Sequence, residues 1–240
     1  MVSRKFGETQ DLFEVHRKHL TRILHLNRDP KPIEEFQQEE DEFVWKILIH
    51  DQFGKDSLST VFKIGDLRSE NVTLNLHLFS ERDKIHGVNA LYLVQPSTEN
   101  INQIIEDISQ DLYDSMYINF TYPISPENLQ KFANAVGKYS AISKIQQIQQ
   151  HYIDFVSLSP RHFTFSMKQV YSQLKTFTST QKSEKLDHIA VSLFSVLKSL
   201  GIVPIIQYQA GLGQEIATRL EVCHFYVLKM FLFLVRRFTC

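Results

Sequence analysis

Four groups of residues have types and spacings that could do chemistry. Gly211-Leu212-Gly213 lies between an apolar run at 202–208 that reads as a strand and a helical pattern at 210–221. Strand, glycine turn and helix are the setting in which backbone N–H groups cradle a dinucleotide pyrophosphate. The third small residue of that fingerprint should fall at 216, where the chain has Ile216, with Ala217 one place late. One reading is therefore a phosphate cradle at a helix N-terminus, as in a nucleotide-binding α/β enzyme. The other is a tight turn that needs glycine for its backbone angles. A lone near-match arises often by chance, and the tight turn is the reading adopted.

His16 and His19 stand three apart on a helical stretch, a spacing that could present two imidazoles to a metal. No Asp, Glu or Cys occupies a matching ligand position, and structural metal sites usually need four ligands. A solvated helix face is expected there. His50-Asp51 closes the first strand pattern at the edge where open α/β sheets place ligands. No serine elbow, Cys nucleophile or carboxylate pair completes a catalytic set around it, so a strand end and turn are expected. Cys223 and Cys240, the only two cysteines, exclude a disulfide framework or a Cys-based zinc site for the main body. Asn71-Val-Thr73 and Asn119-Phe-Thr121 match the glycosylation triplet but lie in strand-like runs and are read as chance. No cofactor, no metal and no small-molecule ligand is expected, and the chain reads as a binding protein rather than an enzyme.

The composition agrees with an ordinary globular protein: 240 residues, 43% hydrophobic and 22% charged, enough to bury a sizeable core. A net charge of -1 leaves no electrostatic footprint for nucleic acid or anionic membrane. The opening MVSRKFGETQDLFEV has no apolar run after its basic residues, which predicts no secretory signal and a cytosolic location.

The elements that must position these groups follow from periodicity. Leu12, Val15, Leu20, Ile23 and Leu24 predict an amphipathic helix ending near Asn27, with Pro30 and Pro32 preventing its continuation. The acidic stretch from Glu34 to Glu42 reads as a solvated connector. Strands are predicted within 43–51, 71–79, 89–96, 116–121 and 143–158, and helices over Phe53 to Phe62, after Ser97-Thr98, and from Ser125 to Lys138. Alternating strands and helices imply a doubly wound α/β domain with a mostly parallel sheet covered on both faces. The first helix is expected to pack on it. A second unit begins near Pro160. Ser172 to Lys185 is polar and glycine-free and is expected to form a loop or hinge. Lys185 to Leu200 predicts a helix stopped by Gly201, before the strand at 202–208 and the helix at 210–221. That strand has no sheet partner in the remaining sequence, so the second α/β domain is incomplete. The tail, 222–240, is crowded with aromatic and aliphatic residues. Lys229 and His224 interrupt it and Arg236-Arg237 close it, against the roughly 20 continuous apolar residues of a membrane span.

In the helix at 125–138, Leu129, Phe132, Ala133 and Val136 form an apolar stripe at i, i+3, i+4 and i+7. The stripe either faces the sheet or lines a hydrophobic groove with the strand containing Ile145, where a partner's aromatic or aliphatic anchor would sit. The periodicity is the same for both.

Several segments resemble the opening repeats of the SM (Sec/Munc-type) SNARE-assembly family, and its ER–Golgi "Sly" branch in particular. They are WKILIHDQFGKDSLSTVFKIGDLRSENVTLNLHLFSERDKI, ALYLVQPSTENINQIIEDISQDLYDSMYINFT, ENLQKFANAV, HYIDFVSLSP and FSVLKSLGIVPIIQY. The resemblance covers roughly residues 8–221. It implies a cytosolic protein, peripheral at ER and Golgi membranes, that binds a syntaxin-type Qa-SNARE of the syntaxin-five kind and its SNARE complex in vesicle docking and fusion. It also implies a pocket for the SNARE's N-terminal peptide at Leu129, Phe132, Ala133 and Ile145. The family would continue past Glu221 with a charged helix and, later, a helical insertion. The domain organisation expected is thus 1–158 for the first α/β domain with its leading helix, 159–221 for an incomplete second one, and 222–240 for a non-family tail. A truncated form is the expectation that follows.

Overall fold

The structure, a computed structural model, describes residues 11–28, 45–202 and 204–235. The acidic connector, Pro30 and Pro32, and the closing Arg236-Arg237 lie outside the described residues. The chain forms α1 (Leu12–Leu24), β1 (Lys46–His50), α2 (Gln52–Val61), α3 (Ile64–Ser69), β2 (Val72–His77), β3 (Ile85–Val94), α4 (Thr98–Ser109), β4 (Tyr113–Phe120), α5 (Pro126–Lys138) and β5 (Ile145–Gln150). These strands make one five-stranded parallel sheet in the order β2-β1-β3-β4-β5. The order reverses between β1 and β3, the switch point of a doubly wound fold.

The central strands are apolar on both faces because both are covered. Ile47, Ile49, Ala90, Tyr92, Val94, Met116, Ile118 and Phe120 point to one side, where Ile101, Ile104 and Ile108 of α4 and Phe132 and Val136 of α5 meet them. Leu48, Leu91 and Leu93, at the alternate positions, point to the other and meet Leu20, Ile23 and Leu24 of α1 with Leu58, Val61 and Leu67 of α2 and α3. Each of these side chains contributes about 1.5–3 kcal/mol by leaving water. The leading helix does pack on the sheet. It ends at Leu24, ahead of the prolines, because Leu26 and Asn27 take left-handed backbone angles.

Beyond the sheet come the antiparallel pair β6 (Val156–Ser159) and β7 (His162–Thr164), then α6 (Val170–Thr176), α7 (Ser179–Leu200) and α8 (Leu212–Val235). The hinge expected at 172–185 is instead helical on both sides of a break at Phe177-Thr178. Thr178 caps α7: its hydroxyl accepts from the Gln181 N–H and its own N–H donates to the Gln181 side chain, a capping box. Polarity there marks solvent exposure, and with no glycine or proline in the run the helix is interrupted only at Phe177, whose extended backbone ends α6, and at Thr178, the cap of α7. The strand expected at 202–208 does not form in the described residues, Val203 lying outside them. A lone strand has no backbone partner, and Ile205 is 94% exposed. The helix expected at 210–221 runs on to Val235, through most of the tail. No helix among the described residues is long and apolar enough to cross a membrane.

Candidate functional site

Helix α5 begins where Ser125, its N-cap, accepts a 3.2 Å hydrogen bond from the Asn128 N–H, with Pro126 at the first helical position. Its buried residues are Asn128, Phe132, Ala135 and Val136. At 3.6 residues per turn their mean direction is rotated by roughly 65° from that of the stripe Leu129, Phe132, Ala133 and Val136. Only half of the stripe therefore faces the sheet. Phe132 is 2% exposed, whereas Leu129 is 42% exposed and Ala133 is also open to solvent.

The neighbouring surface is made by the edge strand. Among the described residues β5 pairs with β4 alone, which leaves its far side as an edge of the sheet. A bulge between Met116 and Tyr117 sets the register: Ile145 lies opposite Met116 and Ile148 opposite Ile118. Met116 and Ile118 share a face, so the two isoleucines do as well, although they stand an odd three positions apart. That face is the one α5 covers. Ile145 packs against the same cluster as Phe132 and Val136, while Ile148 stays 39% exposed, and Ile142 in the short 3-10 turn before β5 is 79% exposed.

Of the four residues named from sequence, Phe132 is buried and Ile145 packs against its cluster, while Leu129 and Ala133 are open to solvent. Ile142 and Ile148 were missed, because strict alternation puts 145 and 148 on opposite faces and only the bulge brings them together. Around this apolar surface lie exposed Lys131 and Lys138, the latter 5.1 Å from the Tyr139 ring centroid. Lys144 is ion-paired with Asp111. An apolar wall, a floor and an open strand edge are what an extended peptide with hydrophobic anchors requires.

The other candidates resolve differently. His16 is not on a solvated face: it is fully buried, with Nδ1 2.9 Å from the Ser157 hydroxyl and its ring 4.8 Å from Phe155. Leu12, His16 and Leu20 repeat at i+4, so the apolar stripe of α1 passes through it. Burial, and secondarily His19, lower its pKa to about 3. His19 is half-buried, and no group of three metal ligands occurs among the described residues.

His50-Asp51 does sit at the β1/β3 switch point, but the crevice there is closed by hydrogen bonds. Asp51 accepts from the Gly54 N–H at 2.7 Å, the Gln95 N–H at 2.8 Å and the Asn100 amide at 2.7 Å. A side chain at Gly54 would overlap the Leu93 carbonyl oxygen, so glycine is needed for this close approach. Gly211-Leu212-Gly213 turns into α8 from irregular chain rather than from a strand, and the dinucleotide setting is missing.

Comparison with known proteins bears on the whole chain. The family model described as "Sec1 family" matches residues 46–229. Protein sly1 of Schizosaccharomyces pombe is 34% identical over 211 residues, covering 87% of this chain and 33% of the relative. Sec1 family domain-containing protein 1 of Mus musculus is 33% identical over 228 residues, covering 92% of this chain and 35% of the relative. The chain thus spans about a third of the length of the curated relatives it matches. Among solved structures, Sly1p in complex with an N-terminal peptide of Sed5p superposes with a TM-score of 0.75 at 26% identity, over 89% of this chain and 38% of that one. The SM protein Vps45 has the same fold, with a TM-score of 0.75 at 17% identity, over 94% of this chain and 40% of that one.

Proposed function

The chain belongs to the Sec1 family, and we propose that it binds a syntaxin-type Qa-SNARE by taking the SNARE's N-terminal peptide against α5 and the edge of β5. The observation that carries this reading is the partition of α5. Leu129 and Ala133 are exposed on the helix whose Phe132 shares a cluster with Ile145, and Ile148 is exposed on the sheet face that α5 covers. A monomer gains nothing by leaving such residues together in water, and a peptide's apolar anchor would cover them. The similarity to Sly1p, whose complex holds an N-terminal peptide of Sed5p, supports the same reading. So does the similarity to Protein sly1 of Schizosaccharomyces pombe. In this reading the protein acts in vesicle docking and fusion between ER and Golgi, cytoplasmic and held at the membrane through its SNARE.

Residues 1–158 form the peptide-binding domain in this reading, 159–221 begin the second α/β domain, and 222–240 are a tail of which the family model reaches only as far as Lys229. Binding is the whole activity proposed, with no catalytic step. The test is fluorescence anisotropy of a labelled syntaxin N-terminal peptide titrated with the full chain. Burial of one leucine is worth about 1.5–3 kcal/mol, so Leu129→Lys should weaken binding on the order of ten- to a hundredfold. Saturable binding that this substitution leaves unchanged would overturn the proposal.

A further inference from the structure

On the sheet face opposite the peptide groove, α1, the C-terminal end of β5 with the loop after it, and α7 enclose a pocket of about 220 Å³. It is well above the ~10–15 Å³ that one water needs. Its lining is basic: His19 and Arg22 from α1, His151 from the loop, and Lys198 from α7. Gln149 and Gln150 add amides, and among the described lining residues none is acidic.

Three observations show that these groups are poised toward something negative. The His19 Nδ1 is buried without a hydrogen-bond partner. Lys198 is half-buried, its ammonium 3.7 Å from the Tyr152 ring centroid, a contact that satisfies its charge but none of its N–H donors. His151 has one ring nitrogen, Nε2, 2.9 Å from the Asn119 Oδ1, which accepts, so Nδ1 is the nitrogen free to take up a proton. The charges also oppose one another. His19 is held below its usual pKa by burial and then by Arg22, Lys18 and Lys198. His151 is lowered to about 4 by burial and then by His19, Arg22 and Lys198. Burial lowers Lys198 in the same direction.

We infer that this pocket is an anion site that binds a phosphomonoester group, carried by a small solute or a lipid headgroup. A tetrahedral dianion accepts hydrogen bonds from ammonium, imidazole and amide donors at once, and it answers the positive charge gathered around the two imidazoles. The location matches the general preference of parallel sheets for ligands beyond the carboxyl ends of their strands. Because α1 and α7 both contribute, an occupied pocket ties the leading helix to the second unit.

Binding and protonation are linked. An anion raises the pKa of His19 and His151 toward their ordinary values, so protons are taken up on binding and affinity rises as pH falls. The charged and titratable groups involved are Lys18, His19 and Arg22 on α1, His151 and Tyr152 after β5, and Lys198 on α7.

The experiment is a titration of the full chain with inorganic phosphate and with sulfate, followed through the histidine ring signals by NMR and by calorimetry, against sodium chloride at matched ionic strength. The expected result is saturable shifts of His19 and His151, identified with His19→Gln and His151→Gln, and at least tenfold weaker binding in Lys198→Gln. Sulfate keeps its charge between pH 7.5 and 6, so its affinity should rise over that interval. An inositol phosphate in solution and vesicles bearing phosphatidylinositol 4-phosphate then separate the two sources: tighter binding to vesicles assigns a lipid, equal binding a solute. No saturable shift up to tens of millimolar anion would overturn the inference. So would equal shifts with chloride, or full binding by a folded Lys198→Gln.

Discussion

The Asp154 carboxylate accepts a 2.8 Å hydrogen bond from His188 Nε2, joining the loop after β5 to the middle of α7. Asp154 is fully buried, and the same carboxylate accepts from the Ser192 hydroxyl at 2.5 Å, from the Gln95 amide at 2.9 Å and from Thr121 at 3.4 Å. One side chain therefore gathers the ends of β3 and β4 and clamps the second unit to the first. Nearby, Leu12, Phe155 and Val196 close a small apolar cluster between α1, the strand β6 and α7.

Removing that acceptor leaves several buried donors without partners, and breaking such a network costs about 3–5 kcal/mol. Asp154→Ala should lower unfolding stability by about that amount. Urea denaturation measures it; a loss below ~1 kcal/mol would show that α7 does not depend on the carboxylate.

The two faces of α5 should separate in mutagenesis. Leu129→Lys projects into solvent and should change stability by no more than about 0.5 kcal/mol, while weakening peptide binding. Phe132→Ala opens a cavity under the sheet and should cost about 3–5 kcal/mol. Equal melting losses for the two variants would contradict the partition.

Ile142 and Ile148 extend the same surface. Ile148→Lys should reduce peptide affinity without altering the urea midpoint, and Ile142→Ser should have a smaller effect. A peptide that binds both variants at wild-type strength would confine the groove to α5.

Acid should destabilise the protein through its buried imidazoles. The unfolded chain binds a proton at each histidine near pH 6.5. Folded His16 does so only near 3 and His151 near 4. Between those values the unfolded state holds more protons, so stability rises with pH and is lost as pH falls below about 6.5. His16 alone should account for about 2–4 kcal/mol by pH 4. Urea midpoints from pH 7.5 to 4 test this, and His16→Gln should flatten the slope. A slope unchanged by that substitution would assign the acid sensitivity elsewhere.

The turn after β1 gives a steric test. At Gly54 a methyl group would meet the Leu93 carbonyl, and overpacking of this kind costs about 1–3 kcal/mol. Gly54→Ala should show that loss in thermal unfolding despite alanine's better helix propensity.

Period-two strands, period-3.6 helices and the caps at Ser97, Ser125 and Gly201 were legible because they are local. Each depends on residues within one or two turns of chain, and the alternation of strands with helices is enough to imply a parallel sheet. The four candidate residues were named together through the family resemblance, and the α5 stripe that holds three of them was visible as a pattern. Three readings went astray for one reason, which is that polarity is a poor guide to contacts with distant chain. His16 lies inside an apolar stripe and finds Ser157. The polar run at 172–185 has no glycine or proline and is helical except at Phe177-Thr178. The apolar run at 202–208 has the composition of a strand and, among the described residues, no strand to pair with.

How far α5 turns on its axis, whether an extra residue enters β4 or β5, and which distant side chains meet Asp154 depend on packing between elements far apart in sequence. Those contacts set the roughly 65° rotation that exposes Leu129 while burying Phe132. The periodicity of one helix is unchanged by that rotation, so the stripe could announce an apolar surface but not divide it. Burial against the sheet made the division, and with it the difference between a residue that holds the fold and one left open to solvent.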